Sequence, residues 1–407
     1  MIVFKSFRWN DGRITALLAG LLLACMSSQS RGEETVLDTL QLHGFLSQAL
    51  VITDHNDFFG PSSSNEGSLK YTEVGVNASL RPHQDVLIAA QVLSRRAGSD
   101  GSDARPKLDY GIVDYQMLSN QQRTFGVQVG RVKNPFGFYN QTRDVAFTRP
   151  SILLPQSIYF DRTRSLGLAG DGVSFYHEER LDTGALRLQA GFGQARVEED
   201  VDRTLGLDRF PGSLEPDTSA IGQVRYEHDG GRIITALSAA SANAEYDSPS
   251  SMPGDGKFHF NPWVLSFQYN EELWSLTAEY AIRKLELEDF NAFPDSSKKG
   301  ESWYIQYTRR FQNDWQWLVR YDSLVNDRSD RSGKEFEAST GGLIPAHTQF
   351  ADDITLGVQW TPHPRVMLAG EYHHVDGTAW LPTQDTPDPS DTEQEWSMLL
   401  FQLSLRF

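Results

Sequence analysis

The sequence predicts an all-β protein, a transmembrane antiparallel β-barrel of about sixteen strands, on three observations. Apolar residues recur with period two along most of the chain, the connections alternate short and long, and the chain ends flush on an amphipathic strand. That last strand is the clearest. Leu399, Phe401, Leu403, Leu405 and Phe407 share one side, and Leu400, Gln402, Ser404 and Arg406 share the other. The segment favours the closing strand of an outer-membrane barrel, with a terminal edge strand of a soluble sandwich as the alternative, so the rest of the chain has to discriminate.

Residues 1–30 read as an export signal. Lys5, Arg8 and Arg13 form a positive start, Ile14 to Cys25 an apolar stretch, and Ser28-Gln29-Ser30 a small-residue exit. Leu22-Leu23-Ala24-Cys25 is close to a lipoprotein processing site, with Leu23 a poor fit. Cys25 is the only cysteine, so the body from 31 to 407 has no disulfide and its stability rests on the fold. No stretch after Cys25 approaches the ~18 apolar residues of a membrane helix. Mean hydropathy is −0.44 and the formal charge −17. Both values suit an acidic soluble protein, and they suit a barrel in which only alternate residues meet lipid. The negative charge argues against a nucleic-acid partner.

The strands follow in order. Val74, Val76, Ala78 and Leu80 alternate with small or polar residues, and Val86, Ile88, Ala90 and Val92 follow after a tight turn. Runs around Phe125–Val129, Leu186–Phe192, Ala220–Tyr226, Trp263–Tyr269 and Trp274–Ile282 repeat the pattern. Trp303–Tyr307, Trp315–Tyr321, Ile354–Trp360 and Val366–Tyr372 lead to the last strand. With weaker segments near 40–53, 108–117, 168–178 and 231–245, the count reaches about sixteen strands of roughly ten residues.

The connections decide between the two classes. Short ones fall near 82–84, 119–122, 179–183, 229–231, 270–272, 313–314 and 362–364. Long ones occupy 54–67, 97–107, 133–167, 197–217, 246–257, 287–299, 326–349 and 376–394. A soluble sandwich has no reason to place every long loop at one end, whereas short periplasmic turns opposite long outer loops are the asymmetry of a bacterial outer-membrane barrel.

The longest connection, 133–167, carries Phe136, Phe138, Tyr139, Phe147, Ile152, Leu153, Leu154, Ile158, Tyr159 and Phe160, too much apolar surface to stand in water. It is expected to fold into the lumen against the inner wall. The stretch GRVKNPFGFYNQTRDVAFTRPSI from Gly130 to Ile152, with LPQSIYFDRTRSLGLAGDGVSF after it, resembles the constriction-loop region of Gram-negative general porins of the phosphate-selective-porin-like group. The resemblance implies a sixteen-stranded channel narrowed by its third long loop, working as a homotrimer without a cofactor. It also implies small hydrophilic solutes and ions as cargo, and outer-membrane lipid and lipopolysaccharide as surroundings.

Charges in this loop are the candidate constriction and ion-selectivity residues: Lys133, Arg143, Arg149, Arg162 and Arg164 against Asp144 and Asp161. Fixed cations in a narrow passage concentrate anions, although some of these arginines can equally tie the loop to the wall. Strand parity places Arg187, Arg225, Arg283, Arg310 and Arg320 inside, with Glu73, Glu227, Glu279, Asp322 and Glu371. Such a mixed wall favours modest selectivity. Lys133 is the loop's only lysine, a departure from a strictly phosphate-specific pattern. The function expected is passive diffusion through a water-filled pore; a substrate-specific channel for phosphate or an organic anion is the alternative.

Other signals are weaker. Acidic residues crowd 197–217 and 376–394 without the spacing of a calcium loop, which reads as a solvated rim able to bridge to lipopolysaccharide through shared divalent ions. All eight tryptophans after Trp9 lie in the last two-fifths of the chain, so the Trp-poor wall is expected at the protomer interface. Glu371, His373 and His374 lack a third metal ligand and read as pore wall, and no motif of a hydrolase or nucleotide enzyme is present, leaving a barrel enzyme as a remote alternative. Phe407, an aromatic final residue, is the expected signal to the barrel-assembly machinery.

Overall fold

The computed structural model describes residues 36–99, 104–312 and 314–407. The expected export signal at 1–30, with Cys25, lies outside the described residues. Seventeen strand segments form one sheet: β1 (Gln41–Thr53), β2 (Ser68–His83), β3 (Val86–Ala97), β4 (Lys107–Ser119), β5 (Arg123–Lys133) and β6 (Ala169–Leu181). Then come β7 (Gly184–Ala195), β8 (Ser213–Pro216), β9 (Thr218–His228), β10 (Ile233–Asp247), β11 (Gly256–Asn270) and β12 (Trp274–Glu288). The last five are β13 (Ser296–Phe311), β14 (Trp315–Val325), β15 (Phe350–His363), β16 (Val366–Gly377) and β17 (Glu395–Arg406).

Apart from the short β8, each strand pairs antiparallel with the next along the chain, and β17 returns to pair with β1, where Leu50 faces Phe401. The sheet therefore closes. The short β8 and the following β9 both pair with β10, so they form one interrupted wall strand and the barrel has sixteen positions. Closure removes every sheet edge, which lets backbone hydrogen bonds be satisfied within the wall.

Parity runs as the alternation predicts. In β17 the outward Phe401 is 52% exposed while the inward Leu400 is 0% exposed. Val76, Ile88, Val113, Phe192, Leu265, Ile305 and Leu356 are likewise exposed on the outward side. Inward positions carry Ser47, Gln91, Gln189, Ser238, Ser266, Thr355 and Gln402, all buried. A continuous exposed apolar surface around a polar interior is the pattern of a wall surrounded by lipid rather than water.

Most strands are longer than the expected ten residues; β2 and β13 reach 16. The extra length lies toward the long loops. Two rows of outward aromatics mark levels on the wall: Tyr269, Trp274, Tyr307 and Trp317 pack in sequence near the short turns, and Trp263, Tyr280, Trp303 and Tyr321 pack higher up. Trp315 and Trp360 stack on each other at 5.4 Å outside these rows, and two further tryptophans turn away from the outer wall altogether. Trp380 and Trp396 are buried against each other at 5.3 Å and against Phe58, in an apolar cluster that ties the first, third and last long loops together. Counting tryptophans along the chain missed this, although Trp396 has the inward parity of Met398 and Leu400.

Candidate functional site

Residues 134–168 connect β5 to β6, and their apolar side chains are packed. Leu154, Ile158 and Tyr159 form a cluster with Val264, Ala281 and Tyr304, all inward positions on β11, β12 and β13. Ile152 and Leu153 join the cluster of Trp380 and Trp396. Two prolines help set the path. Pro150 holds Arg149 in an extended conformation (φ −93°, ψ 142°), away from the short helical turn before it. Pro155 breaks any continuation of the Ile152-Leu153-Leu154 run, and its carbonyl accepts from Tyr159 N at 2.9 Å.

Backbone amides of the loop are met by carboxylates of the wall. Glu371 on β16 accepts from Ile152 N and, at 3.1 Å, from Leu153 N. Glu279 on β12 accepts from Phe138 N at 3.0 Å, Tyr159 Oη at 2.6 Å, Tyr304 Oη at 2.9 Å and Ser266 Oγ at 2.5 Å. Asp322 on β14 accepts from Ser157 N at 3.3 Å. Neighbouring Arg320 donates to Leu153 O at 3.2 Å and to Ser151 Oγ at 3.1 Å. Irregular backbone set against a buried wall requires such partners, because each unpaired group costs about 1–3 kcal/mol.

The seven candidate loop charges divide into two groups. Asp144 joins Lys133 and Arg164, and Lys133 also reaches Asp109 at 2.7 Å. Lys133 closes β5 rather than opening the loop. Burial opposes ionisation of Asp144, but Lys133 and Arg164 more than offset it and hold the carboxyl well below the usual carboxylate range. Asp161 accepts from Arg95 of β3 at 2.7 Å and lies 3.7 Å from Arg143 and 3.6 Å from Arg164. Burial again resists charge there, and these arginines pull the carboxyl down. Arg143 donates to Tyr159 O at 3.0 Å, with burial and the nearby Arg164 lowering it to about 10. Arg149 pairs with Glu73 of β2 at 2.9 Å and touches Tyr71 Oη at 3.2 Å.

Arg162 stands apart. Among the described residues no carboxylate lies within 4 Å of it; it donates to Ala379 O in the last long loop, and burial lowers it to about 10. On the wall, Arg187 and Arg225 face each other across β7 and β9. Arg225 pairs with Glu227 at 2.9 Å and lies 5.7 Å from the Phe138 ring centroid, whereas Arg187 is exposed on the inward side. Arg187 also lies opposite Glu178 across β6 and β7, so the charges at this point of the wall are of both signs.

His373 is held between Asp353 (Nδ1, 2.8 Å) and Glu371 (Nε2, 3.3 Å), while His374 faces outward near Ser397. Among the described residues no cluster of three or more metal-ligating side chains stands ready for a metal. Two participants were not foreseen. Asp109 faces inward because a bulge at Gln91/Val92 shifts the register between β3 and β4, and period-two counting cannot see a bulge. Arg95 lies opposite Glu73 in the β2–β3 register, which correct strand pairing would have exposed.

No protein-family model matches this sequence, and no curated protein does. Solved structures do match, and they are outer-membrane barrels. The anion-selective porin from Comamonas acidovorans superimposes with a TM-score of 0.57 at 12% identity, over 90% of this chain and 99% of that one. A loop-deletion mutant of OmpT, an outer membrane protein of Vibrio cholerae, gives 0.55 at 10% identity, over 91% and 99%. OprB of Pseudomonas putida gives 0.55 at 9%, over 91% and 95%. At such identities the likeness is one of fold: this chain shares the overall barrel fold of these proteins.

Proposed function

We propose that this chain is an outer-membrane porin of a Gram-negative bacterium, passing small hydrophilic solutes and ions down their gradients through a water-filled lumen. The observation that carries this reading is the closed barrel with exposed apolar residues outward and polar residues inward, a wall suited to lipid outside and water within. The loop 134–168 narrows the lumen and sets the size limit, supported by its bonds to inward Glu73, Glu279, Asp322 and Glu371. No cofactor is needed, and residues 1–30 direct export.

Within this reading the loop and wall charges, Lys133, Arg143, Asp144, Arg149, Asp161, Arg162, Arg164, Arg187, Arg225, Arg283, Arg320, Asp322 and Glu371, shape the field along the passage. Some anchor and some steer. Arg187, exposed and opposite Arg225, is best placed to bias passage toward anions. Homotrimer assembly uses the Trp-poor wall of β1 to β5 with β17. Gln48 and Thr72 stand on its outward side and bond to each other at 2.7 Å, polar groups that a protein partner covers better than lipid. A substrate-specific anion channel is the second reading, favoured by Arg162 having no carboxylate partner.

Reversal potentials in a salt gradient across a planar bilayer test the assignment. A weak anion preference that falls or inverts in Arg187→Glu supports the general pore. Block of current by micromolar phosphate supports the specific channel instead.

A further inference from the structure

A cavity of about 110 Å³ lies between the loop 134–168 and the inner wall of β6, β7 and β10 to β12. Its wall side is built from residues with little or no side chain, among them Gly191, Gly193, Ala240 and Ala242. Phe136 and Phe160 of the loop and Phe260 of β11 supply aromatic surface. The volume is smaller than that of an enclosed apolar cavity of about 150 Å³ that admits benzene, but this cavity is open on one side, so a ligand need not fit wholly within it.

One cation lining this cavity has no counterion. Arg283 lies with its guanidinium carbon 4.7 Å from the Phe160 ring centroid, and its Nη2 donates to Val325 O at 3.2 Å. Its Nε is buried and without a hydrogen-bond partner. Among the described residues no carboxylate lies within 4 Å of Arg283, whereas Arg143, Arg149 and Arg164 each have one. Arg162, close enough for its charge to act on Arg283, has none either. A partly desolvated guanidinium pair without a carboxylate is stable only at a cost, which a bound anion removes. A small hydrated anion would give up its water to an apolar chamber and gain only the charge contact. An anion with a flat apolar body uses both halves of the site, the fork for its carboxylate and the aromatic faces for its ring.

We propose that this cavity is a binding site for small aromatic monocarboxylates of the size of benzoate, with the carboxylate on Arg283 and the ring among Phe136, Phe160 and Phe260. The site deepens the channel reading and rests on it: the cavity is a station along the route past the loop. Ligands pause there because ring and charge are both satisfied.

The test uses the full-length protein purified in detergent, with benzoate titrated by calorimetry and acetate as the control without a ring. Saturable binding of one benzoate per chain is expected, with acetate about tenfold weaker or more. Arg283→Gln should weaken benzoate by about tenfold and weaken the residual acetate binding too, since both place a carboxylate on Arg283. Gly167→Leu offers an independent variant, since Gly167 lines the cavity and a Cβ there meets no atom within 4 Å. It should abolish benzoate binding with Arg283 intact. Benzoate binding no better than acetate, or unaltered by both variants, overturns the site. Chloride current in a bilayer with no benzoate binding removes the site and leaves the channel standing. Benzoate binding without any current removes the channel reading instead.

Discussion

The guanidinium of Arg149, carried on the connection between β5 and β6, meets the carboxylate of Glu73 on β2 at 2.9 Å, and both side chains are buried. They are 76 residues apart in sequence. Arg95 shares Glu73 from the next strand at 3.3 Å. Removing Arg149 leaves Glu73 with Arg95 alone, so the cost should stay below the about 3–5 kcal/mol of a fully stranded buried charge. Arg149→Met is therefore expected to lower the thermal unfolding midpoint in detergent and raise current noise, as the loop loses a tie. Arg149→Met with Glu73→Gln should recover part of the loss. A midpoint unchanged by the single variant would show that Arg149 is not an anchor.

Glu279 makes a second prediction. Four donors converge on its two oxygens, so Glu279→Gln replaces one accepting oxygen with a donor that faces Tyr159, Tyr304 or Ser266. The expected cost is about 1–3 kcal/mol, read as lower heat resistance of the folded band on gels. Tyr159→Phe should give a smaller loss in the same direction.

The pH dependence follows from the loop carboxyls. Lys133 and Arg164 overcome the burial of Asp144 and depress it, and arginines do the same for Asp161. A depressed carboxyl contributes stability that is complete above its unfolded value of about 3.9 and fades as pH falls through the lower folded value. Stability from these ties should be flat from about pH 8 to 5 and decline below about 4. Asp144→Asn should be less stable at neutral pH, with its difference from the parent shrinking in acid. A difference that grows in acid would contradict the assignment.

At the seam, Phe407 N donates to Gly44 O at 3.0 Å and Gly44 N to Phe407 O at 3.2 Å, and the Phe407 ring covers Gly44 so closely that a Cβ there would lie 2.3 Å from it. Both Gly44→Val and deletion of Phe407 should reduce the yield of assembled barrel. The molecules that do assemble should conduct as the parent does. Unchanged yield in both would remove Phe407 from assembly.

Much of the fold was legible because a lipid-facing wall forces period-two patterning, and short turns leave little room for error in strand order. Bonds across the lumen were not. Nothing in the local sequence ties Ile152 to Glu371 or Arg149 to Glu73, since those contacts depend on where a long loop lands. Charge counting named Arg143, Asp144, Arg164 and Asp161 as loop charges without showing which pair with which, and it could not separate paired cations from Arg162 and Arg283, which have no carboxylate within 4 Å among the described residues. Asp109 was hidden by a bulge, and Trp380 by its place in a loop without periodicity.

Single-channel recording of the purified protein in planar bilayers over a series of potassium chloride concentrations tests the open, water-filled lumen most directly. Stepwise currents that rise in proportion to salt are expected, as for ions crossing an aqueous pore. Absence of steps at every concentration, with folded protein inserted in the membrane, would contradict the account.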